Sequence, residues 1–231
     1  MTLEEFKIAC KEKNINLTDK MIDQLNFYAQ YLKEYNEKIN LTAITEYEEV
    51  LDKHFFDSLL CVDRRLEGSL VDVGTGAGFP GVVLKIVSPE LNVLLIEPIT
   101  KRCTFLNSLI EKLDLKNIEV INQRGEDYSL NHREQYDYVT ARAVSNLNNL
   151  IEVCGAMVKV NGYFICLRGK DGIAEIDSAA IAIKKMGFEI EKTSKESLFD
   201  GSSRIISYFK KIEKTNKKYP RKYSIIKALP L

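Results

Sequence analysis

The sequence predicts an α/β protein with a mostly parallel, seven-stranded sheet and an N-terminal helical extension. Three observations carry this. The apolar run Leu70-Val71-Asp72-Val73 leads into the glycine-rich turn Gly74-Thr75-Gly76-Ala77-Gly78-Phe79-Pro80-Gly81, and an amphipathic helix follows. From Ser69 onward, short β-rich runs alternate with amphipathic helices, as parallel strands joined by crossover helices do. Before Ser69 the apolar residues recur at helical spacing.

The extension covers residues 1–66. Thr2-x-x-Glu5 and Thr45-x-x-Glu48 each read as a capping box that starts a helix. Ile22, Leu25, Ala29 and Leu32 form one apolar stripe, and Val50, Leu51, His54, Phe55, Ser58, Leu59 and Val62 mark a third helix. Asn40-Leu41-Thr42 sits in the connection between these two helices. The sheet domain covers residues 67–211. Its strands are expected near 69–73, 92–96, 118–122, 136–140, 161–168, 188–193 and 204–210, and its helices near 80–87, 100–113, 146–158 and 172–186. Asp200-Gly201-Ser202-Ser203 leaves no room for a crossover helix, so the last two strands should pair antiparallel. A basic tail, 212–231, closes the chain.

Composition narrows the function. A chain of 231 residues suits one substantial domain with a smaller appendage, and 45% hydrophobic residues suit a packed core. No apolar run approaches the roughly 20 residues that span a bilayer, and Met1-Thr2-Leu3-Glu4-Glu5 lacks the features of a signal peptide. Five scattered cysteines with no C-x-x-C read as reduced thiols, so a cytoplasmic protein with no membrane role is expected. Two histidines far apart in sequence argue against a metal site. The net charge is zero, yet Lys210 to Leu231 holds eight Lys/Arg against the single acid Glu213. A basic tail on an acidic body suits an edge that meets phosphates, or else a solvated terminus.

The phase of the glycines separates two cofactors. Gly76-Ala77-Gly78-Phe79-Pro80-Gly81 fits the dinucleotide fingerprint as a string, but that fingerprint starts where the strand ends, here at Gly74. Counted from Gly74, its third position is Phe79, too large for close helix–strand packing. The better reading is Asp-x-Gly-x-Gly-x-Gly, which resembles motif I of the class I S-adenosylmethionine methyltransferases, a Rossmann-like fold. S-adenosyl-L-methionine is therefore the expected cofactor, with Gly74, Thr75, Gly76, Gly78 and Phe79 around it. Glu97 ends the second strand, about 20 residues after the turn, where a carboxylate accepts from ribose hydroxyls. Asp72 orders the loop or faces the methionine amine through water. Gly125 and Glu126, after the third strand, are placed to read the adenine edge. Arg142 ends the fourth strand and suits the methionine carboxylate or an RNA phosphate.

Six segments in order make a closer resemblance: Asn40-Leu41-Thr42-Ala43-Ile44, His54-Phe55-Phe56-Asp57-Ser58-Leu59, Asp72 to Gly81, Lys101-Arg102-Cys103-Thr104-Phe105-Leu106, Thr140-Ala141-Arg142-Ala143 and Lys218-Tyr219-Pro220-Arg221-Lys222. Together they are similar to the family of 16S ribosomal RNA (guanine-N7) methyltransferases G, also called glucose-inhibited division protein B. The resemblance implies methylation of guanine N7 at one site of 16S rRNA (family position 527) in the small ribosomal subunit. It also implies cofactor contacts from Gly74, Phe79, Gly125, Glu126 and Arg142. The sequence departs from the family in two places: Gly125 stands where alanine is usual, and the tail beyond Lys222 differs.

Guanine N7 carries an in-plane lone pair, so attack on a methyl group needs no general base, and no catalytic residue is assigned. His54 and Asp57, one helical turn apart, are read as bracing the N-terminal helices rather than as a base. Arg168 and Lys170, together with Lys217, Lys218, Arg221 and Lys222 of the tail, are the candidate RNA contacts, with Tyr219 and Tyr223 interleaved for stacking. Lys101 and Arg102 are either further rim contacts or a solvated helix start. A monomer is expected. A methyltransferase acting on protein or small molecules would not need the tail, an NAD-dependent oxidoreductase would need the other glycine phase, and a non-catalytic RNA-binding module would need no pocket.

Overall fold

The computed structural model describes residues 1–62, 66–142 and 145–231. Ala143 and Val144, which follow Arg142 in the sequence, lie outside them. Seven strands form one sheet in the order β3-β2-β1-β4-β5-β7-β6. They are β1 (Ser69–Val73), β2 (Asn92–Ile96), β3 (Ile118–Ile121), β4 (Tyr136–Arg142), β5 (Val158–Arg168), β6 (Phe188–Ser197) and β7 (Ser203–Lys211). The first five are parallel, and β7 runs antiparallel to both β5 and β6. The short Asp200–Ser203 link gives this hairpin, as its length requires.

The sheet is covered on both faces, because successive side chains of a strand point to opposite sides. On one face Leu70, Leu95, Ile165 and Ile206 share a core with the N-terminal helices and with α5 (Gly81–Val87) and α6 (Thr100–Lys112). On the other, Val71, Val139, Phe164 and Phe209 pack with α8 (Leu147–Gly155), α9 (Gly172–Ser178) and α10 (Ala180–Lys185). The N-terminal set is α1 (Leu3–Glu12), α2 (Asp19–Asn36), α3 (Tyr47–Val50), a π-helical segment (Leu51–Phe56) and α4 (Asp57–Leu59), the last three running on as one helix.

Several elements differ from the sequence expectation. The Thr2 box forms, with Thr2 and Glu5 capping each other. The Thr45 box does not. Glu46 is the cap residue of α3, so Glu48 falls one position too early to reach back. The helix expected over 172–186 is two helices that meet at Ala179, whose N–H bonds to both Glu175 and Ile176 carbonyls. Buried Ile176, Ala179 and Ala182 are spaced by three, and the tightened turn keeps all of them on the sheet. Two short helices were not foreseen: α7 (Gly125–Asn131) and α11 (Tyr223–Ala228).

The tail is docked against the sheet domain. Arg133 donates to the carbonyls of Thr215, Asn216 and Tyr219, and Thr215 N–H donates to Glu134 at 2.7 Å. Arg221 forks onto Glu152 of α8, a carboxylate with no exposed surface. Buried Lys211 donates to the carbonyls of Gly155 and Met186, at the ends of α8 and α10, and to Thr215. Burial pulls the pKa of Lys211 down to about 7.

Candidate cofactor site

In open parallel sheets, ligands sit beyond the carboxyl ends of the strands, and the glycine turn lies there, after β1. The N–H of Gly74 donates to Ile96 at 2.8 Å, which ties the turn to the end of β2. Gly76 has φ +62°, and a Cβ on it would meet nothing within 4 Å, so the backbone is left-handed and the space above it open. Gly78 has φ +105°, and a Cβ there would lie 2.6 Å from the Tyr28 hydroxyl. Thr75 is buried and donates to Asp72 at 2.6 Å.

Two carboxylates hold the turn. Glu97 is buried, accepting from Gly76 N–H at 3.0 Å on one oxygen and from Ile99 N–H at 2.9 Å on the other. Each oxygen retains acceptor capacity for a hydroxyl. Asp72 Oδ2 accepts from Thr75 and from Gly81 N–H at 2.8 Å, whereas Oδ1 has no partner among the described residues. Burial pushes the Asp72 pKa up to about 6, against the lowering effect of these hydrogen bonds and of Arg142. Thr140, which pairs with Asp72 in the sheet and faces the same side, also has a buried hydroxyl with no partner among the described residues.

Arg142, at the end of β4, meets the N-terminal helices. Its Nη1 donates to Asp57 Oδ2 at 2.8 Å and to the Lys53 carbonyl at 3.2 Å, and its guanidinium lies 5.1 Å from the centre of the Phe79 ring. His54 stacks on Phe79 at 4.3 Å, and Tyr28 stacks on it at 5.3 Å while donating to the Ala77 carbonyl at 2.5 Å. The Nδ1 of His54 faces Arg142 Nη2 at 3.3 Å, and its Nε2 lies 2.9 Å from the Thr42 hydroxyl. Nδ1 also lies 3.1 Å from the Lys53 carbonyl, so an Nδ1–H would donate to that carbonyl and a bare Nδ1 would accept from Arg142. Burial, and then the charge of Arg142, push the His54 pKa down to about 3. The ring is neutral near pH 7, braced by its neighbours.

On the other flank, Gly125 opens α7, and a Cβ there would lie 2.5 Å from Val73 Cγ1. Glu126 follows, with Arg124 3.7 Å from its carboxylate. Thus the sheet order β3-β2-β1-β4 sets Gly125 and Glu126, Glu97, the glycine turn with Asp72, and Arg142 in one row.

The candidate RNA residues do not gather at one place. Arg168 ends β5 and is taken up by Glu175 and the Ser145 carbonyl, beside exposed Lys170. Arg221 is committed to Glu152. Lys217, Lys218 and Lys222 are exposed. The turn that carries Lys217 and Lys218 is held by Arg133, before β4 begins. At about 3.3 Å per residue, β4 sets that turn roughly 20 Å from Arg142. Lys101 is exposed, and Arg102 approaches Glu97 at 3.8 Å.

The site residues that the sequence reading missed are Tyr28, Thr140 and Arg204, the last donating to Asp57 Oδ1 at 2.7 Å. Tyr28 left a local signal in its position within the α2 stripe beside Leu25 and Leu32, and Thr140 one in its place two residues before Arg142. The residues present fit S-adenosylmethionine: open space over Gly76, a carboxylate at the ribose position, and a partnerless buried oxygen on Asp72 suited to an ammonium. Among the described residues, no three His, Cys, Asp or Glu side chains gather as metal ligands, and no helix is long and apolar enough to cross a membrane.

Known proteins are similar to this chain in sequence and in fold. A family described as rRNA small subunit methyltransferase G matches residues 21–204. The ribosomal RNA small subunit methyltransferase G of Oceanobacillus iheyensis is 42% identical over 237 residues, covering 100% of both chains. That of Alkaliphilus oremlandii is 45% identical over 215 residues, covering 90% of each. Among solved structures, an S-adenosylmethionine-dependent methyltransferase from Aquifex aeolicus aligns with TM-score 0.54 at 16% identity, over 76% of this chain and 97% of that one. Aeropyrum pernix fibrillarin with bound S-adenosyl-L-methionine aligns with TM-score 0.53 at 14% identity, over 67% and 73%. The fold is that of the class I methyltransferases.

Proposed function

The chain belongs to the rRNA small subunit methyltransferase G family, and from that membership we propose that it methylates guanine N7 at one site of 16S rRNA in the small ribosomal subunit. It is a methyltransferase whose cofactor is S-adenosylmethionine. The observation that carries the reading is the row at the carboxyl ends of β3, β2, β1 and β4, which suits adenine, ribose and methionine in turn. Gly125 and Glu126 serve the base, Glu97 the ribose hydroxyls, and Gly74, Thr75, Gly76, Gly78 and Phe79 the turn beneath.

When bound, the cofactor supplies an electrophilic methyl group on a sulfonium. The protein has to align the acceptor nitrogen with that group and keep water out, and positioning of this kind supplies much of a rate enhancement. Guanine N7 has a free lone pair, so no side chain is asked to remove a proton. The state of His54 agrees with this: it is buried, neutral and held by Thr42 and Arg142, a poor base at neutral pH. Lys170, with the exposed tail lysines, holds RNA phosphates, and the protein acts in the cytoplasm as a monomer.

7-Methylguanosine in RNA is opened by borohydride and then cleaved by aniline. Treating 16S rRNA from cells with and without the protein should give one cleavage that depends on it. Unchanged cleavage on deletion would refute the N7 assignment.

A further inference from the structure

Asp57 is a buried carboxylate claimed by two arginines from different strands. Oδ2 takes Arg142 of β4 at 2.8 Å, and Oδ1 takes Arg204 of β7 at 2.7 Å. Two guanidinium groups on one carboxylate leave a formal charge of +1. The carboxylates of Asp72 and Asp52 lie nearby, the latter accepting from the N–H groups of Phe199 and Asp200, while His54 is neutral and Lys53 pairs with Glu49 and Asp200.

Arg142 has five N–H donors in a fixed plane. Nη1 serves Asp57 and the Lys53 carbonyl, and one N–H of Nη2 points to His54. Nε–H and the second Nη2–H have no partner among the described residues. The plane itself rests on Phe79, beside the glycine turn. The guanidinium is thus held on several sides and keeps two donors for an anion. Adenine and ribose are assigned to the β3 and β2 ends of the row, so the amino-acid part of the cofactor falls toward β1 and β4.

We propose that Asp57 is a positioning residue that holds Arg142 for the methionine carboxylate of S-adenosylmethionine, and that Arg204 ties this grip to the β6–β7 hairpin. The proposal rests on the family's cofactor and on none of the RNA assignments, so it stands or falls separately from the N7 reading.

The test is calorimetric binding without RNA, using S-adenosylhomocysteine and S-adenosyl-3-thiopropylamine, the same molecule without its carboxylate. Asp57→Asn should weaken S-adenosylhomocysteine about tenfold or more, as expected for loss of an oriented charge-assisted pair, and leave the decarboxylated ligand nearly unchanged. Arg142→Met should show the same selectivity, and combining the two should add little. If Asp57→Asn does not fold, Asp57→Asn with Arg204→Gln removes one charge of each sign and is read the same way. Equal weakening of both ligands would mean a merely structural role, and unchanged S-adenosylhomocysteine binding would leave Arg142 to another anion. Either result overturns the proposal.

Discussion

Asp72 sits where ionisation is costly and useful. Buried and with one oxygen partnerless, it has its pKa raised to about 6. A carboxyl whose pKa rises on folding binds its proton more tightly in the folded chain, so stability falls as pH climbs from about 4 through 6. The cost is about 3 kcal/mol above that window and vanishes below it. Asp72→Asn should therefore stabilise the ligand-free protein at pH 8, by up to that amount, and leave it unchanged near pH 4. The same variant should lose S-adenosylmethionine affinity, and in the wild type that affinity should rise with pH through 6 as the carboxylate forms. Thermal melts and titrations across pH 4–8 check both signs. The motif residue was readable in the sequence because it directly precedes the glycines. Its contacts with Thr75 and Gly81 are local, whereas the meeting of Arg142 with Asp57, 85 residues apart, depends on how the N-terminal helices seat on the sheet.

Two elements answer questions that their own sequences left open. Gly125 opens α7, and Val73 of β1 occupies the space a methyl group would need. Gly125→Ala should lower stability by about 1–2 kcal/mol through overpacking, and adding Val73→Ala should remove the penalty; a double-mutant cycle by urea unfolding measures the coupling. In the tail, the basic neighbourhood of Arg221 suggests an RNA contact, and its bond to Glu152 is a pairing no local pattern announces. Arg221→Ala strands a buried charge and should cost about 3–5 kcal/mol, with much of it regained by adding Glu152→Gln. An Arg221→Ala protein of unchanged stability would free this residue for RNA. The strands and crossover helices were legible because their periodicity is local. The break at Ala179 was not, because the sheet imposes it.

Across the whole molecule the charge asymmetry is only partly available to a partner. Lys211 is inside and Arg221 is tied down, while Lys217, Lys218 and Lys222 are exposed, Lys218 over the Tyr219 ring. Replacing these three with alanine should leave the melting temperature nearly unchanged. If they neutralise rRNA phosphates, the slope of log affinity against log salt should shrink by about 2; an unchanged slope would remove the tail from the RNA interface. The central claim concerns the reaction, and one measurement reaches it most directly. Small ribosomal subunits lacking the modification are incubated with the protein and methyl-labelled S-adenosylmethionine, and the rRNA is digested to nucleosides. The predicted result is label in 7-methylguanosine alone, at one residue per 16S rRNA. Label in another nucleoside, or none despite measurable cofactor binding, would contradict it.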